Sequence, residues 1–166
     1  MGRASTKENK SIYQTTRENL KLTREKASEM LDFISPERIE KIENGKVKVQ
    51  PDDVLALAEC YKAPGLCNYY CSNECPIGQK YVPEIPVKDL AQITVETLNS
   101  LNKINKEKDR FLEIIEDGTI TDDEIADFIS IKNTLDKISL SVNTLQLWID
   151  QAIADGNLEK KYFAQQ

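Results

Sequence analysis

Residues 17–46 read RENLKLTREKASEMLDFISPERIEKIENGK, and the fold is decided here. Thr23 stands directly before Arg24 to Leu31, a run with the small residue Ser28 inside it. A threonine hydroxyl accepts from the unpaired amides of a first helical turn, so Thr23 is read as the cap of a helix over 24–31. Ser35-Pro36 repeats the signal, with serine as N-cap and proline at the first helical position, where its missing N–H is not needed. That next helix is predicted to stop at Glu43-Asn44-Gly45, since glycine enters the left-handed conformation without steric cost. Two short helices joined by a tight turn, the second opening on Ser-Pro, form the predicted centre of an N-terminal domain.

The flanking sequence extends this domain. Ser11-Ile12-Tyr13-Gln14 is a capping box that opens a first helix, to about Leu20. Gln50-Pro51-Asp52-Asp53 starts a fourth helix, to about Tyr61, and Ala63-Pro64 a short fifth, to about Cys71. Five helices over residues 11–72 predict a compact all-α domain. Residues 1–10 are read as a polar, disordered tail, although Met1-Gly2-Arg3-Ala4-Ser5-Thr6 fits the loose myristoylation pattern. Residues 73–86 read as a connector with Pro76, Gly78, Pro83 and Pro86, and 157–166 as a second tail.

Between them, residues 87–156 predict two long helices, about 87–116 and 121–154. Asp117-Gly118 breaks the first, and Thr121-Asp122-Asp123-Glu124 is a capping box for the second. In the second, Phe128, Ile131, Leu135, Ile138, Val142, Leu145, Ile149 and Ala152 alternate in steps of three and four, the pattern of a heptad seam. The first places Leu90, Ile93, Thr97, Leu101, Ile104, Phe111 and Ile115 on one broad face. Together they predict an antiparallel hairpin of roughly 40 Å, assigned to dimerisation or regulation. Leu98, Leu112, Ile114, Leu140, Leu147 and Trp148 fall off these seams, which predicts packing on the first domain or on a second subunit.

The chain has 166 residues and no histidine. That removes histidine general bases, Ser-His and Cys-His nucleophiles and histidine metal ligands. No Walker lysine loop or GxGxxG is present, and the reading is that the protein is not an enzyme. No apolar run approaches the ~20 residues of a membrane span, and residues 1–30 hold no signal-peptide core, so the cytoplasm is the expected compartment. Residues 1–64 carry 12 basic and 11 acidic side chains, whereas 65–166 carry 10 and 17. The first part suits an approach to DNA, and the second would be repelled by it.

The order of helix, turn, helix and the ending Ile42-Glu43-Asn44-Gly45-Lys46 resemble the Xre-type, lambda-repressor-like helix-turn-helix regulators. The resemblance covers residues 11–72. The segment Tyr70-Cys71-Ser72-Asn73-Glu74-Cys75-Pro76-Ile77-Gly78 further resembles a variety found among Firmicutes regulators, which ends in YC…CPIG. The resemblance implies a DNA-binding domain whose recognition helix, about 35–44, lies in the major groove. It implies a structural ion pair between Arg17 and Glu43, a phosphate contact for Arg24, base-edge positions at Ser35, Pro36, Glu37 and Lys41, and backbone contacts for Lys46 and Lys48; Arg38 is counted with the DNA-binding set. The turn between Leu31 and Ser35 is one residue longer than in the tightest members. Glu37, Glu40 and Glu43 weaken the electrostatic attraction that supplies most DNA affinity.

The four cysteines, Cys60, Cys67, Cys71 and Cys75, leave three readings open: apolar packing at the joint between modules, a zinc or iron–sulfur site, or a reversible thiol switch. Their spacing matches no standard zinc-ribbon or ferredoxin pattern. Glu113 to Glu124 matches the later half of a calcium loop, but Ile115 stands at a ligand position, and a turn with a capping box is the plainer reading. The expected function is a homodimeric transcriptional regulator on double-stranded DNA, paired through the C-terminal helices. The alternatives are a protein-interaction module (antirepressor or adaptor) and a metal- or thiol-responsive sensor with weak DNA binding.

Overall fold

The computed structural model describes residues 9–31 and 33–163; the myristoylation-like start and Asp32, in the turn before Ser35, lie outside them. Eight α-helices and one 3₁₀ turn make up the described secondary structure, with no strand among the described residues. The protein is all-α. The described residues divide into two compact units, one comprising those up to 84 together with those from 150 onward, and the other 85–149.

The first unit contains α1 (Ile12–Asn19), α2 (Arg24–Leu31), α3 (Pro36–Glu43), α4 (Pro51–Cys60), α5 (Gly65–Asn73) and the single turn α6 (Gly78–Tyr81). The caps act where sequence places them. Ser11 accepts from the Gln14 amide at 3.2 Å, Thr23 from Lys26 at 3.2 Å and Ser35 from Arg38 at 3.3 Å. Gly45 ends α3 at φ +65, and the Lys46 amide turns back onto the Lys41 carbonyl at 2.8 Å. Such a C-terminal turn satisfies carbonyls the helix leaves unpaired. α1 packs on α3, α2 on α3 and α4, and α4 on α5. Tyr13, Ala27, Leu31, Ile34, Ile39, Ile42, Val54, Leu57 and Leu66 make one buried core. Each fully buried Leu or Ile contributes roughly 1.5–3 kcal/mol of transfer free energy.

Two expectations at the edges of this unit are revised. Lys10, assigned to a disordered tail, pairs with Glu18 at 2.6 Å and so lies against α1. The connector is not featureless: α6 docks on α5, and the Asn68 side-chain amide donates to the Pro83 carbonyl at 3.0 Å. Gly78 explains the Cys-Pro-Ile-Gly segment. A Cβ at this position would lie 1.9 Å from the Cys71 carbonyl oxygen, so only glycine lets α6 approach α5 this closely. Residues 160–162 form a 3₁₀ turn within the predicted C-terminal tail.

The second unit is a helical hairpin, α7 (Leu90–Ile115) and α8, which begins at Ile125 and continues to Ala154 in the first unit. Asp89 caps α7 at the Gln92 amide, 2.8 Å. Thr121 and Glu124 join before α8, where the carboxylate accepts from the threonine amide at 3.0 Å and hydroxyl at 2.7 Å. Arg110–Asp127 at 2.7 Å, Ser130–Glu107 at 3.0 Å and the Phe111–Phe128 ring contact fix an antiparallel register.

The seam differs from the heptad expectation. Ile93, Ile114, Ile131, Thr134, Ser141 and Thr144 are buried, whereas Leu90, Leu101, Ile115, Leu135, Val142 and Leu145 are exposed. Hydroxyl groups account for the difference. Thr97, Thr134 and Thr144 each donate to the carbonyl four residues earlier, at 2.7–3.0 Å. Satisfied in this way, they present a small surface to the facing helix and fill positions where periodicity looks for leucine.

Candidate nucleic-acid interface

Glu43 is the hub that aligns the first three helices. It lies at the last turn of α3, 3% exposed, and receives two arginines. Arg17 of α1 grips it with Nε at 2.5 Å and Nη2 at 3.0 Å, while its Nη1 donates to the Leu22 carbonyl at 2.5 Å. Arg24, the first residue of α2, donates from Nε at 2.8 Å to Oε2, the oxygen that also accepts from Arg17 Nη2. Burial works against the Arg17 charge, but the hydrogen bonds and charge of Glu43 outweigh it and hold the guanidinium above its ordinary pKa. Beside this cluster the Tyr61 hydroxyl is buried with no hydrogen-bond partner among the described residues. Burial, followed by the Glu43 charge, pushes its ionisation upward.

The hub sets the electrostatics of α3. Of its three carboxylates, Glu43 faces inward between two cations and Glu40 is half-buried; Glu37 alone is exposed. The Glu37 carboxyl is lowered by its own backbone amide, then by the Ser35 hydroxyl, and further by Lys41. Glu37 and Lys41 stand four residues apart and share a face, so their charges offset locally. Two exposed lysines, Lys46 and Lys48, follow α3 beyond the glycine turn.

The predicted DNA-contacting residues therefore divide. Ser35, Glu37, Lys41, Lys46 and Lys48 are exposed around α3 and the loop after it, and Pro36 is half-buried at the first helical position. Arg24 stands at the start of α2 but commits Nε to Glu43. Arg38 is also engaged within the domain: its Nε and Nη2 donate to Asp53 in the first turn of α4 at 2.9 and 2.5 Å. Burial raises the Asp53 carboxyl, but the Arg38 hydrogen bond and the Gln50 amide bring it below its ordinary value. Asp53 thus has a positional role that sequence reading missed, having taken Gln50-Pro51-Asp52-Asp53 only as a helix start. Lys21 and Lys26, beside and on α2, are exposed cations also absent from the predicted set.

The cysteines do not assemble a metal centre. All four are free, half-buried and packed against the core. Among the described residues no three His, Cys, Asp or Glu side chains are grouped to hold a metal ion. Cys67 and Cys71 are neighbours one turn apart on α5, and burial, then the Cys71 charge, pushes the Cys67 thiol up; burial alone does so for Cys60. Raised thiols are poor nucleophiles and poor metal ligands. The calcium-loop likeness is likewise a plain turn, with Asp117 accepting from the Thr119 amide and hydroxyl at 2.9 and 3.0 Å.

Among the described residues no helix is long and apolar enough to cross a membrane. No curated protein and no solved structure matches the chain. Residues 14–64, which run from within α1 to the residue before α5 and contain the Glu43 hub and all of α3, match the helix-turn-helix family model.

Proposed function

We propose that the protein is a transcriptional regulator that acts as a homodimer on double-stranded DNA, with α3 entering the major groove. The family match over residues 14–64 carries this reading. The geometry of α3 supports it: the N-terminal end offers Ser35 and Glu37, and the next turn Lys41, as exposed side chains for base edges, the usual entry mode for a recognition helix. Glu37 accepts from cytosine N4 where such a base is presented. Lys46 and Lys48 lie in the following loop, placed for phosphate contacts, and Arg24 adds a guanidinium at the amino end of α2. The inward-facing Glu43 removes one of the three carboxylates that counted against DNA binding.

Binding to random duplex DNA, read by fluorescence anisotropy, tests this directly. Non-specific affinity of about 10⁻⁴–10⁻⁶ M at physiological salt is expected, tightening as salt falls. A chain that binds no duplex at ~50 mM salt, where phosphate contacts are strong, overturns the reading and favours a protein partner for the same helix.

A further inference from the structure

The backbone that leads from α2 into α3 alternates between inside and outside. Ile34 is 1% exposed and belongs to the core, whereas Phe33 before it is 67% exposed and Ser35 after it is exposed. Ser35 is extended, and in an extended segment alternate side chains point to the same side. Phe33 and Ser35 therefore share the outward side, and Ser35 is the cap on which α3 opens. The phenyl ring thus stands at the entry of the helix, beside the residues assigned to base edges. A lone exposed apolar residue is ordinary on a protein surface. Its place is what distinguishes Phe33. A ring so far in water forgoes most of the transfer free energy of burial, and it does so at the edge of a proposed ligand surface.

We propose that Phe33 reads thymine in the major groove through apolar contact with the C5-methyl group; the proposal rests on the DNA-binding reading of α3 and names a base for it. The chemistry of the groove selects this base. The C5-methyl of thymine is the apolar group that base-pair edges present there, and phenylalanine is among the side chains that pack on it. A phenyl ring has no donor or acceptor with which to read the polar edges of the other bases. Charge favours DNA as the occupant. Lys41 on α3 and Lys46 and Lys48 after it are exposed, and such cations draw in phosphates. A major groove sets its methyl groups between two rows of phosphates, which matches an apolar ring and exposed cations on one helix and its loop. Glu37, the exposed carboxylate of α3, complements the ring, since it accepts from cytosine N4. Phe33 and Glu37 then read different bases from one end of the helix, the first by its apolar surface and the second by a hydrogen bond.

The test needs no known operator. The full-length wild type, Phe33→Ala and Phe33→Leu are each used to enrich bound sequences from a random duplex library. Each thymine of the wild-type site is then replaced by deoxyuridine, which removes the methyl alone, and affinities are compared by fluorescence anisotropy. The wild type is expected to weaken roughly fourfold at one thymine or more, the value of one buried methyl-sized group. Phe33→Leu should keep part of that sensitivity. Phe33→Ala should bind both duplexes equally and lose the preference for thymine at that position. Its salt slope should match the wild type, since no charge is removed, and its thermal melt should be unchanged, since the ring is exposed. A wild-type site insensitive to deoxyuridine at every thymine, or a Phe33→Ala variant as sensitive as the wild type, overturns the proposal while leaving DNA binding intact. A wild type that binds no duplex at ~50 mM salt overturns the regulator reading and this proposal together, and moves the ring to a protein partner.

Discussion

Substituting Glu43 with alanine is expected to be the most damaging single change in the first unit. The carboxylate holds Arg17 at 2.5 and 3.0 Å and Arg24 at 2.8 Å. The two cations differ in what their loss of a partner costs. The Arg17 side chain is 7% exposed and that of Arg24 31%, so without Glu43 the first becomes a buried, uncompensated charge while the second turns to water. Breaking a buried pair from one side costs about 3–5 kcal/mol, against a total stability of about 5–15 kcal/mol for a domain. At about 4–8 °C per kcal/mol for a unit of this size, the melting temperature falls by at least ~12 °C. Arg24→Ala, which removes a partly solvated partner, should cost no more than ~1–2 kcal/mol. The paired change Arg17→Met with Glu43→Leu removes both charges and is expected to recover much of the loss. Urea titrations followed by hydrogen-exchange protection of α1 to α4 read the first unit. A Glu43→Ala loss below ~1 kcal/mol, in the range of a surface pair, would refute the hub.

Other outcomes follow from the same geometry. Gly78→Ala should strip hydrogen-exchange protection from residues 78–82 while α1 to α4 keep theirs, because the added Cβ meets backbone rather than a movable side chain. Asp53 has a depressed carboxyl in the folded state, so its contribution is present above the unfolded value near ~3.9 and is lost as pH falls through the folded one; Asp53→Asn should flatten the acid limb of a stability–pH profile. Glu74 is raised, first by burial, against the Tyr13 hydrogen bond of 3.2 Å that favours its charge. Its contribution is therefore present below the unfolded carboxyl value and lost as pH rises through the folded one, so Glu74→Gln should not lower stability at neutral pH, as a thermal melt would show. Chelator should leave the melting temperature unchanged, and a thiol reagent should modify Cys60 and Cys67 more slowly than an unstructured thiol.

How much of this was legible in sequence depends on how far apart the cooperating residues stand. Ser11, Ser35-Pro36 and Gly45 act on amides and carbonyls a few residues away, so helices α1 to α3 were readable at nearly their observed limits. The pairing of Arg17 with Glu43 spans 26 positions and came only through family resemblance. The pairing of Arg38 with Asp53, 15 positions on, was not legible, because Asp53 belongs to another helix and is brought in by tertiary packing. The hairpin was readable as a hairpin, but its seam was not. Thr134 and Thr144 hide their hydroxyls against their own helix, so polar letters occupy buried sites and Leu135 and Val142 are left outside. The cysteines invited a metal reading because sequence shows their clustering along the chain but not that, among the described residues, no three ligand side chains are grouped to hold a metal ion.

The central claim is that the segment from α1 to α5 binds DNA through phosphate contacts beside α3. The most direct measurement is the dependence of duplex affinity on salt for the wild type and for the Lys46→Ala, Lys48→Ala double variant. With Arg24, Lys46 and Lys48 on phosphates, log K should fall against log salt with a slope of about −3, and the double variant should lose about two units of that slope while keeping its fold. A slope indistinguishable from zero, or one unchanged in the double variant, would contradict the account.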